Sequence, residues 1–298
     1  VVLLLVAALP RIYAAIFDQG LFWPDEIYQS LEQAHRFAFG YGMVPWEFRD
    51  GARSWLFPGT IGLLWKAMAA LGVHASPPLV IAAKLLMVAL SVLGVAAAIR
   101  LGELLAGAPG ALLAGVLTAC WPASVLFGAR AMSETASGPL VLWAAVWLWR
   151  GGRARVISAG ALAALAVFVR YQNFLLLVGL WFFLARRGEW RRVFEFSLAA
   201  LGVALLIGGA LDWITWGAPF HSAWLYLKFN LLTGQASRFG TAGPDYYPLV
   251  LWTSSSLGLL ALVVGLVLVA KRAPVLLAVA VGFVLAHEAI PHKELRFL

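Results

Sequence analysis

The sequence predicts an all-α polytopic membrane protein. Three observations predict it: 62% of the 298 residues are hydrophobic, only 12% are charged, and the mean hydropathy is +0.88. A soluble domain cannot hide that much apolar surface, whereas a bilayer takes it up. The net charge of +8 would point to nucleic acid in a soluble chain. Here most of it lies in short loops between apolar runs, where basic residues set orientation, so no nucleic-acid partner is expected. The single Cys120 lies in an apolar run, which excludes an intrachain disulfide framework and a cysteine metal cluster.

Taken in order, residues 1–17 read as the rest of a first span, interrupted by Pro10 and Arg11. The expectation is one transmembrane domain over 1–298, cut short at both ends, since the chain begins inside an apolar run. Residues 18–57 are polar, with turns at Gly40-Tyr41-Gly42 and Arg49-Asp50-Gly51. Residues 55–73 carry Pro58, Gly59 and Lys66 and read as an interfacial helix, which closes a first exoplasmic loop over 18–77. Spans are then expected at 78–99, 111–128, 136–149, 156–169, 173–185, 193–216, 248–270 and 274–290. Several are short for a core ~30 Å thick, which predicts tilted or half-length helices.

Basic residues choose between the two orientations. Arg100, the Arg150/Arg153/Arg155 group, the Arg186/Arg187/Arg191/Arg192 group and Lys271/Arg272 fall in alternate loops, provided 156–169 and 173–185 turn back at Arg170-Tyr171-Gln172. Placing these on the cytoplasmic side puts the polar segments 18–57, 129–135, 170–173, 217–247 and 287–298 together on the exoplasmic side. Residues 217–247 then form a second long exoplasmic loop. A lipid or glycolipid transporter is the alternative reading. It would place ionisable groups at the midplane of two related halves, and no internal repeat of that kind is visible.

The chemistry concentrates in residues 22–36, which hold Asp25, Glu26 and Glu32. Helical spacing puts Asp25, Gln29, Glu32 and Arg36 on one face, with Ile27, Leu31, Ala34 and Ala38 on the other. Ile27 and Leu31 would be its membrane-facing anchor. Carboxylates at a membrane edge are expensive and point to function, the alternative being a solvated juxtamembrane helix. Asp25 can take a proton from a hydroxyl nucleophile, while Glu26 can equally compensate a helix N-terminus. Arg130, Arg170, Arg238 and the His292-Lys293-Glu294-Leu295-Arg296 cluster can hold a lipid-linked phosphate, or pair with Glu134, Asp212 and Glu294 as structural bridges. There is no Walker A loop, dinucleotide fingerprint, nucleophile elbow or Asp-x-Asp pair. His287 and His292 are five residues apart with Pro291 between them, which does not make a zinc helix, so no metal is expected.

The residues resemble a known family. Pro24-Asp25-Glu26-Ile27-Tyr28-Gln29 with Glu32 and His35, Phe39-Gly40-Tyr41-Gly42, Trp46-Glu47-Phe48 and Arg53-Ser54 are similar to the first luminal loop of the Alg9-like mannosyltransferases, glycosyltransferase family 22. Arg130-Ala131-Met132-Ser133-Glu134-Thr135, Asp212-Trp213 with Trp216-Gly217, Asn230, Arg238-Phe239-Gly240 through Tyr246-Tyr247, and His292-Lys293-Glu294-Leu295-Arg296-Phe297 follow in the family's order. Trp23 stands where the family usually has His, and Pro45 where it usually has Thr.

The resemblance implies a GT-C fold and an integral, multi-pass enzyme. It implies inverting mannose transfer from a polyprenyl (dolichyl-type) phosphate donor to a glycan or glycolipid acceptor, without metal or other cofactor. Asp25 matches the presumed base, with Glu26 beside it. Arg130, Arg170, Arg238, His292, Lys293 and Arg296 are the candidates for the donor phosphate. Glu32, His35, Trp46, Glu47, Glu134, Asp212 and Glu294 are the candidate supporting residues. A GT-C enzyme using another sugar is a further alternative. The Ala-, Gly-, Arg- and Trp-rich composition suggests a bacterial inner membrane, or the endoplasmic reticulum in a eukaryote, with the site exoplasmic.

Overall fold

The computed structural model describes residues 1–18, 20–234, 237–238, 240–254, 256–288, 290 and 293–294. Among these the regular structure is helical. Helix α1 (Val2–Phe17) packs on the long helix α5 (Ser76–Cys120). Between them come a π-helical segment, Asp25–Leu31, which runs into α2 (Glu32–Phe39), then α3 (Trp46–Asp50) and α4 (Leu56–Ala70). After α5 follow α6 (Pro122–Phe127), α7 (Ser133–Arg150), α8 (Arg153–Val169) and α9 (Phe174–Ala185), the last two joined by a 3-10 turn, Tyr171–Asn173. Helices α10 (Trp190–Ala204) and α11 (Asp212–Trp216) are continuous through a π-helical stretch. The chain closes with α12 (His221–Leu227), α13 (Tyr246–Ser254), α14 (Ser256–Arg272) and α15 (Pro274–Glu288).

Among the described residues, two helices are long and apolar enough to cross a membrane, Ser76–Cys120 and Trp190–Trp216. A third counts if the bent pair Tyr246–Thr253 and Gly258–Arg272 is one span. The expected spans at 78–99 and 111–128 lie mostly within α5 as two helices on either side of a kink, and the two halves pack together where Gly102 meets the backbone of Gly110. The helix breaks only at Ala106 and Gly107, where Gly107 takes φ +66°. That break is the turn the basic loop at Arg100 predicts, tightened until no loop remains. Residues 122–127 leave α5 as a separate short helix, because Trp121 is extended and Pro122 begins the next turn.

The inner core is made where α7, α8 and α10 meet. Ala144, Val156, Ala159, Ala163 and Phe196 are fully buried there. Small residues let these helices approach closely: Gly160 lies directly against the backbone of Phe196. Arg11 is also fully buried, and its charge is spread over neutral acceptors. Its guanidinium donates to the carbonyls of Ala7 (2.7 Å), Ala119 (3.0 Å) and Thr118 (3.0 Å) and to the hydroxyls of Ser91 and Ser124. It thus ties α1 to the end of α5, and Arg in this span is a structural clamp.

A second core lies under the first polar loop. Leu31 and Ala34 pack against Phe57, Ile61 and Trp65 of α4 and Leu79 and Ala83 of α5. Trp65 pins the layers by donating its indole N–H to the Leu79 carbonyl at 2.7 Å. Leu31 is therefore not a membrane-facing anchor, since α4 folds back over it. Gly40 (φ +84°) and Gly51 (φ +86°) end α2 and α3 in the left-handed conformation, as the turn residues predict. The basic groups at 150–155 and 186–192 come together, with Arg153 and Arg191 both 3.2 Å from Glu195.

Candidate active site

The polar segments separated along the chain converge on one cavity of about 470 Å³, whose walls come from residues 24–29, 45–53, 133–134, 170–172, 226–230 and Glu294. Pro24 has a preset helical φ of −52° and opens the π-helical segment, so Asp25 stands at its first turn. The carboxylate of Asp25 lines the cavity and accepts a hydrogen bond from the Gln29 amide at 2.8 Å. The same amide nitrogen donates to Glu47 Oε1 at 2.9 Å. Glu47 is held in the first turn of α3, and burial pushes its carboxyl up, helped by the charge of Asp25 and opposed by Arg53.

Trp46 stacks on Phe229 with ring centroids 4.4 Å apart, and both rings line this cavity and a neighbouring one of about 400 Å³. Arg53 lies over the Tyr226 ring at 5.7 Å, and its carbonyl accepts from the Trp216 indole at 3.2 Å. Arg170 ends α8 in an extended conformation, and its buried guanidinium is 3.8 Å from Glu134. The site thus combines carboxylates, two arginines and an aromatic wall, the groups needed to orient a sugar and hold an anion.

The sequence candidates divide. Asp25, Trp46, Glu47, Glu134, Arg170 and Glu294 line the larger cavity. Arg238 lines the neighbouring one with Lys228. Glu26 turns the other way. It is fully buried, accepts from the Ala131 N–H at 3.2 Å, and lies 3.8 Å from Arg130. Burial pushes its carboxyl up against the pull of Arg130. Arg130 in turn holds Asp18 at 2.5 Å and the Gly20 carbonyl, and the ammonium of Lys84 donates to the Asp18 carbonyl. These groups fasten the chain entering the first loop.

Glu32 accepts from the Met43 N–H at 2.6 Å, and His35 Nδ1 meets the Tyr41 carbonyl at 3.1 Å. Both staple the loop at residues 40–43 and line neither cavity. The expected single polar face is split because the backbone of Asp25–Leu31 is π-helical, which shifts the register by the time Glu32 is reached. Asp212 is buried, with its carboxylate accepting from the backbone N–H (2.9 Å) and hydroxyl (2.5 Å) of Ser222, which itself meets Tyr171 Oη. It braces the turn after α11. Lys293 is largely buried and donates to the Ala242 carbonyl at 3.1 Å. His292 and Arg296 lie outside the described residues.

Gln29, Arg53, Tyr226 and Asn230 also line the cavity and had no place among the candidates. Gln29, Arg53 and Asn230 lay within the motif-bearing stretches, and spacing put Gln29 on the face of Asp25, but no role was assigned to them. Among the described residues, no group of three His, Cys, Asp or Glu side chains is arranged to hold a metal ion.

Comparison with known proteins agrees in one direction. The family model described as the Alg9-like mannosyltransferase family matches residues 1–298. The chain is 33% identical over 312 residues to GPI mannosyltransferase 3 of Yarrowia lipolytica, covering 100% of this chain and 59% of that protein. It is 28% identical over 308 residues to GPI alpha-1,2-mannosyltransferase 3 of Xenopus laevis, covering 99% of this chain and 57% of the relative. Against the Homo sapiens protein of that name it is 26% identical over 308 residues, covering 99% and 54%. The chain spans little more than half the length of these relatives. No solved structure matches it.

Proposed function

The chain belongs to the Alg9-like mannosyltransferase family, and from that premise we propose that it forms the catalytic part of a membrane mannosyltransferase with Asp25 as the base. The observation that carries this reading is the contrast between two adjacent carboxylates: Asp25 opens on a cavity of about 470 Å³, while Glu26 is fully buried against Ala131 and Arg130. Only the first can reach a substrate hydroxyl.

In the proposed reaction the acceptor hydroxyl gives its proton to the Asp25 carboxylate. Its oxygen bonds to the anomeric carbon of mannose, the bond from that carbon to the phosphate oxygen breaks, and the phosphate leaves with the electron pair. Attack opposite the leaving group inverts the anomeric configuration. The donor is a polyprenyl-phosphate mannose, and Arg170 and Arg53 at the cavity wall are the cations for its departing phosphate. Trp46 and Phe229 offer a face for a sugar ring. A glycolipid acceptor is favoured by the relatives, whose names specify GPI mannosyl transfer. The site is exoplasmic, since the cavity lies among the polar segments and not among the arginine-rich loops. The fold is of the GT-C type, in a bacterial inner membrane or the endoplasmic reticulum, and no metal takes part.

The test is transfer from radiolabelled polyprenyl-phosphate mannose to a panel of glycolipid acceptors by the full-length protein, with and without chelator. Asp25→Asn is expected to abolish transfer while donor binding persists, and chelator to leave the rate unchanged. Turnover by Asp25→Asn overturns the assignment.

A further inference from the structure

We infer that the groove between α8 and α10 is a binding site for an anionic phospholipid, apart from the catalytic cavity. The groove encloses about 330 Å³, and among the described residues it shares no wall with that cavity. Ile157, Phe194 and Leu198 line it with apolar surface, and Arg153, Arg191 and Glu195 line it with charge. Arg153 is the first residue of α8 and Arg191 the second of α10, so both cations lie at one end of the groove. Each reaches Glu195 Oε1 through its Nε at 3.2 Å. One carboxylate cannot neutralise two guanidiniums, so the group carries one positive charge in excess. The Arg153 and Arg191 side chains are 71% and 80% exposed, against 11% for Glu195. The excess charge therefore faces outward while the acid is covered. Glu189, the next acid in the chain, is engaged by Arg192 at 2.7 Å and Arg187 at 3.7 Å. A guanidinium held at Nε still presents its two terminal nitrogens to a phosphate.

The apolar part of the groove continues along the membrane. Residues Trp190–Trp216 are long and apolar enough to cross it. Phe194, Leu198, Leu201 and Leu205 are each more than half exposed and follow at intervals of four, three and four residues. That spacing makes one stripe running from the groove along the helix. Trp190, one turn before Phe194, is also exposed, where an aromatic ring belongs at the headgroup level. Cations at the mouth of an apolar track match an amphiphile with a negative head and a long chain. A phosphatidylglycerol head carries one negative charge, equal to the excess. A phosphatidylcholine head carries its own ammonium and has no net charge to offer. Inorganic phosphate has the charge but leaves the apolar track uncovered. In the proposed orientation the arginine-rich loops are cytoplasmic, on the side where anionic lipids attract basic segments.

The experiment titrates the full-length protein in detergent with phosphatidylglycerol, phosphatidylcholine or inorganic phosphate and counts bound molecules by native mass spectrometry. Phosphatidylglycerol is expected to bind about tenfold more tightly than phosphatidylcholine, and inorganic phosphate at equal concentration not to displace it. Arg153→Gln combined with Arg191→Gln is expected to remove that preference, weakening phosphatidylglycerol about tenfold and leaving phosphatidylcholine unchanged. Glu195→Gln removes the opposing carboxylate and is expected to tighten phosphatidylglycerol about threefold, a gain that damage to the fold would not produce. Phe194→Ser is expected to weaken both lipids about threefold. Thermal unfolding without added lipid checks that each variant is folded. Equal affinity for the two lipids, or an unchanged affinity for phosphatidylglycerol in the double variant, overturns the site. Displacement by inorganic phosphate assigns the cations to a soluble anion, and a dimer lost in Phe194→Ser assigns the groove to a second copy of the chain. Either result overturns the phospholipid.

Discussion

Asp25 and Glu26 are consecutive residues of one π-helical turn, and the structure puts them in opposite kinds of surroundings. Glu26 belongs to a closed cluster in which Arg130, Asp18 and Lys84 are bound to one another and to the backbone of the loop entry. Asp25 belongs to an open one, where Glu47, Glu134, Arg170 and Arg53 border a space large enough for a sugar. The residue types are alike on both sides. What differs is access: the Glu26 carboxylate is fully buried, whereas the second set borders a cavity that a ligand can enter.

The contrast is broken or sharpened by substitution on each side. The largest effect is expected from Asp25→Asn, a loss of transfer on the order of 10³-fold or more with an unchanged thermal midpoint. Radiolabel transfer and thermal unfolding in detergent read the two halves of that statement. Next, Arg130→Ala should cost about 3–5 kcal/mol of stability, because it strands the buried Glu26 carboxyl and frees Asp18. A full-length Arg130→Ala protein that folds normally but fails to bind donor would reverse the assignment of the two clusters.

A smaller and more diagnostic effect concerns pH. Burial holds the Glu26 carboxyl above its ordinary value of 4.5. The unfolded chain therefore releases this proton at lower pH than the folded one. The stability it contributes is full below about 4.5 and is lost as pH rises through the folded value. Thermal midpoints across pH should accordingly fall less steeply for Glu26→Gln than for the unmodified protein, and parallel curves would contradict this. The smallest effect is expected far from both clusters. Arg100 and Glu103 form a half-exposed pair at 2.9 Å, and Glu103→Gln should change stability by less than about 0.5 kcal/mol and leave transfer intact.

Much of the fold was legible in the sequence. The apolar runs became helices, Gly40 and Gly51 ended α2 and α3, and the distant polar segments met in one place. Candidate residues from four of those segments line the cavity: Asp25 and Glu47 from the first, then Glu134, Arg170 and Glu294. The less legible parts share a cause. Glu32 was placed on the face of Asp25 by a regular helical period, and the π-helical turn changed that period. Gln29 went unassigned because its significance depends on Glu47, which reaches it from another helix.

Sequence by itself determined where helices form and where charge gathers, because backbone preference, apolar period and the cost of charge in a bilayer act on short stretches. Tertiary structure alone decided which carboxylate is closed and which is open. Glu26 is made structural by Ala131 and Arg130, more than 100 residues away, and Asp25 faces the cavity beside Glu47, Glu134 and Arg170. Burial and pairing are properties of such distant neighbours, and they assign different tasks to two adjacent acids.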